Sequence, residues 1–223
     1  MIVAAIPTVD VKNCIQLVKD LSEMENGFDR IFLLNNSSKK MNALEIFNGV
    51  VVINLGRNIG VNPAWNYSMD LAQDLNAHLA ILNDDILVKK NFVTSAVKIL
   101  ESDEEALEKI GLVVPCTTHE MEKFKKYPFS DHGFNIHGIS RREGWCMFLH
   151  MNLIPDIERI PEEMKTFCGD DWIFHQVQQN GWLVVKDNLN VIYHEVGRTL
   201  KKNPKIRETL IQEKGIFNKY LGR

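Results

Sequence analysis

The stretch that decides the fold is His78-Leu79-Ala80-Ile81-Leu82-Asn83-Asp84-Asp85. Its first five residues read as a strand, and the strand runs straight into an amide and two carboxylates. In open α/β sheets, ligands bind in the crevice beyond the carboxyl ends of the strands. Adjacent carboxylates there repel each other unless a cation or hydrogen bonds compensate. A hard divalent ion that also holds a diphosphate supplies that compensation. An ordinary Asn-Asp turn is the alternative.

Working outward, strands and helices alternate. Ile2 to Ile6 is an apolar run closed by Pro7, followed by a helix that Asp10 can cap. Val11, Cys14, Ile15, Val18 and Leu21 follow the i, i+3, i+4, i+7 rule along that helix. Arg30 to Leu34 and Val50 to Leu55 read as the next strands. Asn62-Pro63 then signals a helix start, with Trp65, Met69 and Ala72 on its buried face. Beyond Asp85, Asn91 caps a helix with Val93, Ala96, Val97 and Leu100 inward. This alternation predicts an α/β fold with a mainly parallel sheet covered by helices on both faces.

The second half is less regular. Gly111 to Pro115 and Trp145 to Met151 read as strands, Asp171 to Asn180 as a helix stopped by Gly181, and Leu183 to Val185 and Leu189 to Tyr193 as strands. Residues 117–143 show no period, the mark of a binding loop or lid. Their His119, His132 and His137 match no metal-ligand spacing and read as loop polar groups.

A length of 223 residues suits one domain, residues 1–223. No apolar run reaches the ~18 residues that span a bilayer. The N-terminus has no basic leader, so the expected location is the cytoplasm. Cys14, Cys116, Cys146 and Cys168 form no C-x-x-C pair and read as buried thiols. The net charge of −3 is uneven. Residues 198–223 carry eight Lys or Arg against Glu208 and Glu213, a basic tail that reads as a solvated helix or a seat for an anionic partner.

Two further signals carry chemistry. Gly169-Asp170-Asp171-Trp172 places carboxylates at a helix start, where the dipole favours the charged form. They either cap the helix or take a proton from a hydroxyl nucleophile. Tyr193-His194-Glu195 ends the last strand, with His194 either a structural imidazole or a ligand.

In order along nearly the whole chain, these signals resemble the family-2, GT-A fold glycosyltransferases. The opening strand ends in Ile6-Pro7-Thr8, and the second strand in Asn35-Asn36-Ser37-Ser38. Asn58-Ile59-Gly60 with Ala64-Trp65-Asn66 is similar to the family's N-x-G-x-x-x-A-x-N block. Asn83-Asp84-Asp85 resembles its D-x-D element, and Gly144-Trp145-Cys146-Met147-Phe148 its acceptor segment. Gly169-Asp170-Asp171-Trp172 resembles its x-E-D element, His194 its late histidine, and Ile216 to Gly222 its closing segment.

The resemblance implies a metal-dependent inverting transfer of a sugar from a nucleotide-diphosphate donor to an acceptor hydroxyl. Residues 1–100 would form the nucleotide-sugar half, 101–197 the acceptor and catalytic half, and 198–223 a basic helical tail. Asp85 and His194 would hold Mn²⁺ or Mg²⁺. Pro7, Thr8, Asn35, Asn36, Asn58, Gly60, Asn66, Asn83 and Asp84 would bind the donor. Gly144, Trp145 and Trp172 would meet the acceptor, Asp171 would be the base, and Asp170 would orient the reactants.

The family usually has Asp where this chain has Asn35 and Asn83. An amide both donates and accepts, so the nucleotide stays open, with a UDP-sugar first. A glycan or other hydroxyl compound is the expected acceptor. The alternatives are a hydroxymethylated DNA base, met by the tail with Arg141 and Arg142, or binding without turnover. The absence of G-x-G-x-x-G after the first strand argues against a dinucleotide enzyme.

Overall fold

The structure, a computed structural model, describes residues 1–41, 44–102, 109–117, 134–136, 144–194 and 206–223, with backbone alone at 134–136. Residues 117–143, with His119, His132, His137, Arg141 and Arg142, lie almost wholly outside them, as do Glu195 and residues 198–205.

In chain order the elements are β1 (Ile2–Thr8), α1 (Val11–Ser22), β2 (Arg30–Asn35), β3 (Val50–Asn54), α2 (Val61–Asp74), β4 (His78–Leu82) and β5 (Ile86–Leu87). Then follow α3 (Phe92–Leu100), β6 (Ile110–Thr117), β7 (Phe134–Ile136), β8 (Cys146–Leu149), a 3₁₀ turn (Ile154–Asp156), α4 (Gly169–Gln179), β9 (Leu183–His194) and α5 (Ile206–Tyr220).

The strands join in the order β3-β2-β1-β4-β8-β6-β9-β5, with β7 also on β9. β3, β2, β1 and β4 are mutually parallel, as the βα alternation requires. Beyond β4 the sheet is mixed. β8 enters antiparallel between β4 and β6, and β6 and β9 run parallel to each other. Two reversals restore the original direction. The carboxyl ends of β1, β2, β4 and β9 therefore share one edge with the amino end of β8.

Each strand of the parallel half is apolar on both faces. Val3, Ala5, Phe32, Leu34, Leu79 and Ile81 face one core with Trp65 and Met69 of α2, Ile173 and Phe174 of α4, and Phe217 of α5. The alternate residues, such as Ala4, Ile6, Leu33 and Leu82, face a second core under α1 and α3. Burying one large apolar side chain contributes ~1.5–3 kcal/mol, so two such layers suit a chain of this length.

Local departures from the sequence reading have clear causes. Asp10 caps α1 through Oδ1, which accepts from Lys12 N at 3.0 Å. The buried stripe of α1 is Cys14, Leu17, Val18 and Leu21, a cleaner i, i+3, i+4, i+7 set than one with Ile15, which is exposed. α2 starts from Gly60, not Asn62, because the Asn62 amide turns inward and donates to Met164 O and Phe167 O at 3.0 and 2.9 Å. The two segments read as separate strands over 183–193 form one strand, whose register against β6 shifts between Pro115 and Cys116. The tail helix α5 is seated rather than solvated, with Glu213 and Phe217 buried. All four cysteines are free and buried.

Candidate functional site

Strand direction gathers the site. One cavity of about 660 Å³ opens at the shared edge. β1 contributes Pro7 and Thr8, the end of β2 contributes Asn36, and the α2 entry contributes Asn58, Gly60, Val61 and Trp65. Asn83, Asp84 and Asp85 after β4, Gly144 and Trp145 before β8, and His194 at the end of β9 close the far side. Thr166 to Asp170 form the remaining wall, joined by Ile206 of α5.

The cavity's polar groups are pre-set. Thr8 Oγ1 donates to Asp84 Oδ2 at 2.6 Å and accepts from Asp10 N at 3.2 Å. The loop after β4 is tied down by Asn83 N, which donates to Trp145 O at 2.9 Å. Asn36 clamps the α2 entry, accepting from Ile59 N at 2.7 Å and donating to Gly60 O at 2.9 Å. Asn58 Oδ1 accepts from Gly60 N at 2.9 Å. Gly60 has φ +95°, and a Cβ there would collide with Lys165 O. A left-handed backbone pressed on a carbonyl requires glycine.

Asp85 and His194 face each other, with Nε2 3.4 Å from Oδ1. Trp145 stacks on the imidazole at a centroid separation of 5.0 Å, and among the described residues the buried His194 Nδ1 has no hydrogen-bond partner. A carboxylate oxygen beside an imidazole nitrogen is chemically the kind of pair that fits a divalent ion. Among the described residues no group of three or more His, Cys, Asp or Glu gathers around one point. If a divalent ion binds here, Asp85 and His194 would supply two of its ligands, and the rest of the coordination sphere would come from ligand or water oxygens.

Not every expected residue reaches the cavity. Asn35 is fully buried and spent on its own loop, donating to Asn54 Oδ1 at 2.6 Å and Lys39 O at 2.5 Å while accepting from Ser37 Oγ. Asn66 clamps Ile160 through both its N–H and its C=O, at 2.9 and 2.8 Å. Trp172 points to the opposite side, donating to Glu158 O at 2.8 Å and meeting Tyr220 edge-on. Of the acid pair, Asp170 lines the cavity and Asp171 does not. Helical geometry turns successive side chains by about 100°, so the two carboxylates point in different directions.

Asp170 packs against Gly144, where an added Cβ would lie 2.7 Å from Asp170 Cβ. Its Oδ1 accepts from Asp171 N at 2.9 Å. Cys168, just before α4, is a non-glycine residue at φ +58°, the kind of backbone strain that collects at functional sites. Its thiol is pushed up to about 12 by burial and then by Asp171 and Asp170. Cys168, Thr166, Phe167 and Ile206 had no signal in the sequence. The one hint was their adjacency to Gly169-Asp170 or the basic tail.

No protein-family model matches the sequence, and no curated protein matches it by sequence search. Solved structures do match in shape. GalNAc-T7, solved with UDP, GalNAc and Mn²⁺, superposes with TM-score 0.68 at 13% identity over 87% of this chain and 43% of its own. S. aureus TarS 1–349 with UDP-GlcNAc superposes with TM-score 0.62 at 11% identity over 91% of this chain and 61% of its own. This chain therefore spans about two-fifths of the first and three-fifths of the second. A mycobacterial protein matches with TM-score 0.55. The match in shape gives the chain the GT-A glycosyltransferase fold, a mixed α/β fold with a central sheet.

Proposed function

We propose that the protein is a metal-dependent, inverting glycosyltransferase of the family-2 type with a UDP-sugar donor. The observation that carries this is the pairing of Asp85 with His194 at 3.4 Å inside the cavity that also receives Thr8, Asn36 and Asp170. The neighbours bind UDP, UDP-GlcNAc or Mn²⁺, which supports the same ligand classes here. The first hundred residues supply the donor side, with Pro7, Thr8, Asn36, Asn58 and Gly60 about the nucleoside and Asn83 and Asp84 nearer the sugar. Gly144 and Trp145 serve the acceptor.

Asp85 and His194 would hold Mn²⁺ or Mg²⁺, which when bound offsets the charge on the leaving diphosphate. Asp170, the carboxylate on the wall, accepts the proton of the acceptor hydroxyl. That oxygen forms the new bond to the anomeric carbon as the bond to the diphosphate breaks, inverting the configuration. Asp171 supports Asp170 through its main-chain N–H. Trp145 and the Thr166–Cys168 wall exclude water from the reacting groups.

The test is thermal stabilisation by a panel of nucleotide-diphosphate sugars, each with and without Mn²⁺. One UDP-sugar stabilising only with metal is the expected result. No stabilisation by any donor would overturn the reading and leave the fold.

A further inference from the structure

Glu213 lies on α5, about two turns beyond the cavity-lining Ile206, and only 4% of it is exposed. Its carboxylate accepts three consecutive main-chain N–H groups. Lys165 N donates to Oε1 at 3.0 Å, and Thr166 N and Phe167 N donate to Oε2 at 2.9 and 2.5 Å. A charge withdrawn from water needs such compensation, and hydrogen bonds to a carboxylate are about twice as strong as neutral ones.

The same loop is held from the other side by α2. Asn62 N donates to Lys165 O at 3.1 Å, and the Asn62 amide donates to Met164 O and Phe167 O. Two helices thus grip one loop, α5 by its N–H groups and α2 by its carbonyls. The chain then passes through strained Cys168 to Gly169 and Asp170. A Cβ on Gly169 would collide with Asn62 Oδ1, so the exit from the loop has no slack.

We propose that Glu213 is a positioning residue, whose three main-chain hydrogen bonds set the Lys165–Phe167 loop and, through it, the orientation of Asp170 in the cavity. This rests on the transferase reading for its effect on turnover, though not for its effect on the loop. A displacement of about 1 Å in such a wall costs turnover on the order of 10²-fold while leaving distant donor contacts intact.

The experiment compares the full chain with Glu213→Ala and Glu213→Gln. It reads amide hydrogen exchange, UDP-GlcNAc affinity with Mn²⁺, and UDP release from UDP-GlcNAc, in which water takes the sugar when no other acceptor hydroxyl is supplied. Glu213→Ala should speed exchange at residues 165–170, lower turnover by about 10²-fold and change donor affinity less than about threefold. Glu213→Gln keeps an oxygen for Thr166 and Phe167 but faces Lys165 N–H with its NH₂, so it should fall between. It also carries the comparison if the alanine variant does not fold.

Faster exchange spread along α5, with the loop and the turnover unchanged, would mean that Glu213 only anchors its helix, and the proposal fails. Wild-type protein inert towards UDP-GlcNAc would count against that donor, and the exchange data then decide alone. Faster exchange confined to 165–170 sustains the clamp, and unchanged exchange overturns it.

Discussion

His194 Nε2 sits 3.4 Å from Asp85 Oδ1 because β5 and β9 pair antiparallel with Ile86 opposite His194. The short β5 exists only as the continuation of the Asn83-Asp84-Asp85 turn, so one register fixes the acid and the imidazole together. Asp85→Ala and His194→Ala should each weaken donor binding in Mn²⁺ by at least about tenfold, the loss seen even for outer-sphere metal partners. Without metal their affinities should match that of the wild type. Calorimetric titration of UDP with Mn²⁺ and with a chelator checks this. Undiminished metal-dependent affinity in Asp85→Ala would move the ion elsewhere.

The acid pair at the start of α4 divides by direction. Asp170 is on the cavity wall against Gly144, whereas Asp171 is not among the lining residues and sits beside Cys168, whose thiol is raised by burial and then by Asp171. Asp170→Asn should lower turnover by at least about 10²-fold with donor affinity nearly intact, as for a lost general base. Asp171→Asn should act more mildly. If Asp171→Asn gives the larger loss, the proton acceptor is Asp171 and the wall residue only orients the acceptor.

Much of this was legible because strand ends announce themselves. Thr8 and Asp84 each follow an apolar run, and parallel neighbours must end at the same edge. What the sequence could not separate was neighbouring amides. Asn35 and Asn36 are equally polar, and only the register Thr8 to Asn35, with Asn54 beside it, shows that Asn35 is sealed in its own loop. Asn62 and Asn66 likewise read as ligands or caps until their carbonyl partners on the 160–167 segment are seen. Glu213 gave no signal, because a lone acid in a basic tail has the pattern of a solvated face. The insertion of β8 between β4 and β6 joins strands distant in sequence, which local periodicity cannot express.

His78, at the opposite end of β4, makes stability depend on pH. It is 2% exposed, its Nδ1 accepts from Met151 N at 3.2 Å, and its ring meets His150 edge-on at 4.6 Å. Burial, then the neighbouring His150, lowers it from 6.5 to about 4. Glu101 lies 3.6 Å from Nε2 and favours the charged form, but it is largely exposed and screened, so burial wins. Between pH 6.5 and about 4 the unfolded chain binds the proton and the native state does not, so stability falls as pH drops through that window. The melting temperature should decline from pH 7 to pH 4.5, and His78→Asn should flatten part of that decline. An equal decline in the variant would assign the effect to other groups.

Gly144 meets Asp170 so closely that its side chain is a hydrogen by necessity. An added methyl would stand 2.7 Å from Asp170 Cβ and 2.9 Å from Oδ2, distances that real Cβ atoms do not keep. Gly144 is half-buried at the entry to β8, so the backbone there is anchored by the Asn83–Trp145 hydrogen bond and cannot simply retreat. The carboxylate must give way. Gly144→Ala should therefore cost about 1–3 kcal/mol of stability from overpacking and reduce turnover, because the displaced group is the proposed proton acceptor. Paired with Asp170→Asn, the two losses in turnover should be far from additive, since both act through one carboxylate. A double-mutant cycle on UDP release reads this directly. Strictly additive losses would mean that Gly144 acts on the acceptor by some route other than Asp170.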